Sequence, residues 1–299
     1  MKNFLSPLPG RSWAGAALGL SLSFNLLACT ENQPAPAPVP PTPTPAATNA
    51  EARDYGQYTA LVWGDEFDGG ALDQAKWGYD LGNNGGWGNK ELEYYTNSTE
   101  NAFVSGGNLT IEAKKQSQGG SAYTSARILT KGKQDFAFGR LDVRAKLPKG
   151  QGIWPAIWML GSSIDQKNWP VCGEIDIMEL RGQAPTKILS TMHYANSAAA
   201  HKYTGIDNVT LPNGDSYADA FHTYSVVRSK DQMRFFVDEK LYYTFTTSTA
   251  SDASPYPFND PFFLVLNVAV GGDFLGNPDT TTVFPQQMQV DYVRYYQYK

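Results

Sequence analysis

Three carboxylates crowd one short stretch, GEIDIMEL at residues 173–180: Glu174, Asp176 and Glu179. Two carboxyl groups about 5–5.5 Å apart cleave a glycosidic bond with retained configuration. One attacks the sugar carbon, and the other protonates the leaving oxygen and later deprotonates water. The first must be ionised and the second protonated, and clustered charge with desolvation separates them by raising one pKa. The spacing poses a problem, because successive side chains on a strand point to opposite faces. Glu174 and Asp176 share a face, whereas Glu179 falls on the other with Ile175 and Ile177. A lone carboxylate there would sit in a core at high cost. Either the strand ends before Glu179, or a β-bulge at Ile177–Met178 shifts the parity and returns Glu179 to the first face. Solvated surface acids and a calcium site are the competing readings. The apolar residues between the acids argue against the first. The scarcity of Asn, Asp and Gly argues against the second.

Aromatic residues flank these acids. GQGIWPAIWML carries Trp154 and Trp158, an even number apart and so on one strand face. Trp169 precedes Glu174 in a polar loop beside Pro170. GGWGNKELEYYTN carries Trp87, Asn89, Tyr94 and Tyr95. Flat aromatic surfaces stack on the CH faces of sugars, although tryptophans also serve as core packing. Trp63 and Trp77 read as packing, as does Cys172. His193, in STMHYA, is placed to bond a catalytic carboxylate and steer its protonation.

The elements that must position these residues read as short strands. NLTIEAKK, GRLDVRAKL, TYSVVRS and MQVDYVRYYQY alternate apolar and polar residues. MRFFVDEKLYYTF alternates around a hairpin turn at Asp238–Glu239. PFFLVLNVAVGG is continuously apolar, like a strand covered on both faces. Turn clusters separate the runs, and no long amphipathic helix pattern occurs. The expectation is an all-β chain, a jelly-roll sandwich of two curved antiparallel sheets with a concave groove.

The N-terminal region is organised differently. Trp13 to Ala28 is apolar, follows Lys2 and Arg11, and ends in small residues, as an export signal does. Residues 33–50 hold seven prolines and no charge, a stiff extended spacer. The expected organisation is a signal peptide at 1–28, a linker at 29–54 and one catalytic domain at 55–299. The net charge of −5 argues against nucleic acid, which favours a basic face. Cys29 and Cys172 are the only cysteines.

These motifs carry a family resemblance. GEIDIME resembles the longer, bulged signature of glycoside hydrolase family 16. WGNKELEYYT, FGRLDVRAKLPKGQGIWPAIWMLG, NWPVCGEIDIMEL and VDYVRYYQ are similar to the bacterial laminarinases of that family, from Val62 to the C-terminus. The resemblance implies a retaining endo-β-1,3-glucanase with Glu174 as nucleophile, Glu179 as acid/base and Asp176 hydrogen-bonded to Glu174. It implies sugar contacts from Trp154, Trp158, Trp169, Asn89, His193 and Arg127. It implies no cofactor for catalysis. It implies a structural calcium ion held by the backbone carbonyls of Glu66 and Gly107 and the carboxylate of Asp291. Agarases and carrageenases share the bulged form, and a transglycosylase or a glucan-binding lipoprotein without turnover are further readings. Leu26-Leu27-Ala28-Cys29 resembles a bacterial lipobox, which implies an exported monomer anchored in a membrane by lipid on Cys29.

Overall fold

The structure is a computed structural model that describes residues 49–195, 200–249 and 256–299. The expected signal segment and Cys29 lie outside the described residues. Alternating runs become strands wherever one face can be buried. The early strands are β1 (Ala60–Asp65), β2 (Gly78–Asp80), β3 (Glu93–Tyr95), β4 (Ala102–Ser105) and β5 (Asn108–Ala113). Then come β6 (Tyr123–Ser125), β7 (Arg127–Leu129), β8 (Gly139–Lys146) and β9 (Ile153–Gly161). The middle of the chain forms β10 (Glu174–Leu180), β11 (Ile188–Tyr194) and β12 (Lys202–Val209). The last five are β13 (His222–Ser229), β14 (Gln232–Val237), β15 (Lys240–Thr246), β16 (Phe262–Val270) and β17 (Gln286–Gln297). Among the described residues the only α-helix is the single turn α1 (Ile164–Lys167).

Two antiparallel sheets make the jelly-roll sandwich. One runs β12-β11-β10-β9-β16-β7-β2 and carries the acids. The other runs β15-β14-β13-β8-β17-β5-β4, with β1 also paired to β17. A small parallel pair, β3 with β6, stands apart. All nine residues of β16 are buried, as its continuous apolar run requires. It lies at the centre of its sheet, between β9 and β7. The β14–β15 hairpin turns at Asp238 and Glu239, both at positive φ, as a tight hairpin of this twist requires.

One core fills the space between the sheets. Ile153, Ile157 and Met159 of β9 and Ile175, Ile177, Met178 and Leu180 of β10 point into it. Trp77 belongs to this core and Trp63 packs against it, their rings 6.0 Å apart. Their reading as packing therefore holds. The opposite parity of β9 and β10 faces outward and forms the groove. Chain ahead of the first strand also packs on the body: Asn49 is buried and accepts a hydrogen bond from the Tyr298 amide.

Candidate active site

The bulge is present. Asp176 pairs with Thr191 and Glu179 with Leu189, so β10 spends two residues, Ile177 and Met178, where β11 spends one. The register with β9 shifts at the same place, between Asp176 and Met178. Both bulge side chains go into the core, and Glu179 rejoins Glu174 and Asp176 along a groove of about 780 Å³. Glycine closes both ends of β10. Gly173 takes φ 83° just before Glu174. At Gly182 a side chain would stand 2.4 Å from the Gly150 carbonyl oxygen, so no larger residue fits there.

Each glutamate is held by one indole. Trp169 Nε1 donates to Glu174 Oε2 at 3.1 Å. Trp154 Nε1 donates to Glu179 Oε1 at 3.0 Å. His193 lies directly across from Glu174 in the β10–β11 ladder. Its Nε2 stands 3.3 Å from Asp176 Oδ2 and 3.7 Å from Glu174 Oε1. That Asp176 oxygen is buried and has no hydrogen-bond partner. His193 Nδ1 and His201 Nε2 share a hydrogen bond of 2.8 Å, and Trp169 covers His201 with ring centroids 4.6 Å apart.

Burial is the main cause that pushes all three acids up, each to about 8. The charge of Asp176 raises both glutamates further, while His193 pulls both down. Three such groups cannot all ionise at neutral pH, so the cluster keeps protons. That is the condition for one carboxylate to attack while its neighbour donates. Glu174, Asp176 and His193 also present ligand atoms within 4.8 Å of one another. A cation there would occupy the oxygens that the attack needs.

The remaining sequence-derived residues fall in different places. Trp154, Trp158, Trp169, Asn89, His193 and Arg127 all line the groove. Arg127 is sandwiched, with its guanidinium 4.7 Å from the Trp87 ring centre and 4.6 Å from that of Trp158. It also pairs with Asp80 at 2.9 Å. Asn89 Nδ2 donates to Glu91 Oε1 at 3.0 Å. Cys172 is fully buried, and burial pushes its thiol up to about 11. On the other sheet, the Glu66 carboxylate is held by Arg294 at 2.8 and 2.7 Å. The Asp291 carboxylate accepts from Arg144. Gly107 sits at positive φ in the β4–β5 turn. An ion on Asp291 would compete with Arg144 for its one carboxylate.

Sequence reasoning missed several groove residues. Phe274 stacks on Trp154 with centroids 4.6 Å apart, and Arg181 lies over Phe274 at 4.3 Å. Arg181 in turn grips Asp207 through two contacts of 3.1 Å. Tyr203, 71% exposed, stands at the rim on edge strand β12. The GGDF turn after the apolar run of β16 was a legible signal for Phe274. Tyr203 and Asp207 carried none, because β12 reads as polar chain.

A sandwich with a paired-acid groove on one face defines the class, and the comparisons agree. The family model for glycosyl hydrolases family 16 matches residues 89–294, and the chain belongs to that family. It is 42% identical over 260 residues to a beta-glucanase of Rhodothermus marinus, covering 83% of this chain and 89% of that protein. It is 42% identical over 257 residues to glucan endo-1,3-beta-glucosidase A1 of Niallia circulans. That match covers 79% of this chain but only 37% of the Niallia protein. Among solved structures it resembles the laminarinase catalytic domain from Thermotoga maritima MSB8. The identity is 44% and the TM-score 0.73, over 79% of this chain and 97% of that one.

Proposed function

We propose that this glycoside hydrolase is an endo-acting β-1,3-glucanase of the laminarin-cleaving type. The observation that carries the mechanism is the β10 bulge, which sets Glu179 on the face of Glu174 inside an open groove. The support for the substrate is the likeness to the Rhodothermus, Niallia and Thermotoga glucanases. In the first step a Glu174 oxygen attacks the anomeric carbon as the bond to the leaving oxygen breaks. Glu179 gives its proton to that oxygen. In the second step Glu179 takes a proton from water, the water oxygen bonds to the anomeric carbon, and Glu174 leaves. Configuration is therefore retained. Trp169 and Trp154 orient the two carboxylates through their indole N–H groups. Asp176 and His193 set how many protons the cluster holds.

The test is product analysis on laminarin, mixed-linkage glucan, curdlan and agarose in parallel, with the anomer of the first product followed by NMR. Early release of mixed-length laminari-oligosaccharides as β anomers is the expected result. Cleavage of agarose alone would overturn the substrate assignment, and α anomers would overturn the mechanism. Binding without reducing-end release would favour the lipoprotein binder. A sugar acceptor in place of water gives transglycosylation by the same intermediate, read as products longer than the substrate.

Export with lipid on Cys29 belongs to the same reading. The support is the lipobox-like Leu26-Leu27-Ala28-Cys29 and the proline spacer behind it, which would let a tethered domain reach an insoluble glucan. Radiolabelled palmitate incorporation, lost in Cys29→Ser, tests it. A structural calcium ion held by the backbone carbonyls of Glu66 and Gly107 and by the Asp291 carboxylate, which would exchange its contact with Arg144 for the ion, is a further part of the proposal.

A further inference from the structure

Two bulges meet across the sandwich. One is Ile177–Met178 in β10. The other is in β15, where Phe235 pairs with Tyr243 and Phe236 with Leu241, which leaves Tyr242 as the extra residue. Tyr242 belongs to the far sheet, yet its hydroxyl reaches the bulge that carries the acids. It donates to the Ile177 carbonyl at 3.1 Å. Ser190 Oγ donates to the same carbonyl at 2.7 Å. The two hydroxyls are 2.6 Å apart. Ser190 is fully buried and lies between Leu189 and Thr191, the ladder partners of Glu179 and Asp176.

Counting hydrogens shows what this triangle does. Two hydroxyl hydrogens serve three short contacts. Tyr242 to Ser190 to the carbonyl, Ser190 to Tyr242 to the carbonyl, and both to the carbonyl are the arrangements that use them inside the triangle. In every one of these the Ile177 carbonyl receives a hydrogen. A bulge disrupts the local ladder, and a buried carbonyl without a partner is rare and costly. Burial pushes the Tyr242 hydroxyl further above its ordinary pKa, so it remains a donor. Without such a clasp, a one-residue slip would turn Glu179 from the groove to the core, since strand faces alternate.

We propose that Tyr242 and Ser190 are positioning residues for Glu179, clasping the β10 bulge in the register that places this carboxylate in the groove. The proposal rests on Glu179 being the acid/base. It gives the far sheet a part in placing the acid, although Tyr242 itself does not line the groove.

The experiment compares Tyr242→Phe, Ser190→Ala and the double variant in the full chain. Each is assayed on laminarin and on 2,4-dinitrophenyl β-laminaribioside, whose leaving group needs no proton. The double variant is expected to lose about tenfold to a hundredfold in kcat on laminarin, the scale set by small misplacements of a reacting group. Its KM should not change. kcat/KM on the aryl glycoside, which reports the first step alone, should stay at the wild-type value. The alkaline limb of the laminarin pH profile should move. Tyr242→Phe keeps the ring in place and should show a smaller version of the same pattern in a fully folded chain. Equal losses on both substrates would overturn the proposal, as would an unmoved rate and pH profile in the double variant. A wild-type chain that leaves both substrates intact would instead overturn the activity on which the proposal rests.

Discussion

Two buried acid groups lie along the same groove and are treated in opposite ways. One is the catalytic trio on β10. The other is Glu91 with Glu93, beneath the groove beside β16. Glu91 is tied at both oxygens, by Asn89 Nδ2 and by the Tyr95 hydroxyl at 3.3 Å. Tyr95 also accepts from Asn267 Nδ2, and Asn267 accepts from Trp158 Nε1 at 2.7 Å. Glu93 is fully buried and accepts from the Val270 amide at 2.6 Å. Burial, then the neighbouring Glu91, hold Glu93 well above its ordinary range. These acids are bound into the scaffold through donors on β3, β16 and the loop at Asn89. The glutamates of the trio each receive one indole N–H and turn toward the open groove. The difference teaches how a buried acid is kept structural or kept reactive. Saturating both oxygens of Glu91 fixes a neighbour, here the Trp158 ring. Glu93, whose Oε1 has no partner, is walled off from the groove, whereas leaving one oxygen open to a cavity leaves an acid able to react.

The comparison breaks most sharply at Glu174. Replacing it with Ala should abolish turnover on every substrate while oligosaccharide binding survives in calorimetry. Full retained activity would sink the assignment. Glu179→Ala should cost roughly 10²–10⁴-fold in kcat on laminarin, the range for general acid–base catalysis. It should spare the first step on aryl glycosides with good leaving groups. Equal loss on both would count against its role as the acid.

A smaller effect sharpens the electrostatic half of the comparison. The charge of Asp176 raises both glutamates. Asp176→Asn should therefore shift the alkaline limb of the pH–rate profile, now set by groups near 8, to lower pH. A shift upward would contradict the charge argument. The scaffold pair responds in stability instead. Glu93 has a folded pKa above its unfolded one, so its contribution is full below the unfolded value near 4.5 and is lost as pH rises through the folded value. Glu93→Gln removes that loss. Its Tm should rise relative to wild type at pH 8 and match it at pH 4, which thermal melts at the two values check. The smallest effect concerns the far sheet. Saturating calcium should raise Tm, and chelator should reverse the gain, by about 2–4 °C for each kcal/mol of binding energy in a domain of this size. Identical melts would remove calcium from the account.

Much of the groove could be read from parity. The misplaced Glu179 announced the bulge, because a carboxylate in a core is too costly to leave there. Alternation located β5, β8, β13 and β17, and the unbroken apolar run located β16. The partners of the acids were a different matter. Arg127 was read as a sugar contact, but nothing in TSARI says that two indoles enclose its guanidinium. Glu91 sat unremarked inside a motif quoted for its aromatics. Tyr242 read as one more residue of an alternating hairpin, and its bulge has no parity signal, since Tyr242 and Tyr243 are both aromatic.

The division follows from the range of the forces involved. Burial acts on each residue separately, so the faces of strands, the bulge in GEIDIMEL and the chemistry of its acids are written locally in residue types two apart. Register between strands distant in sequence is set by the packing of the whole sandwich. Only that packing brought His193 across from Glu174, laid Phe274 on Trp154, and carried the Tyr242 hydroxyl from one sheet to the carbonyl of Ile177 in the other.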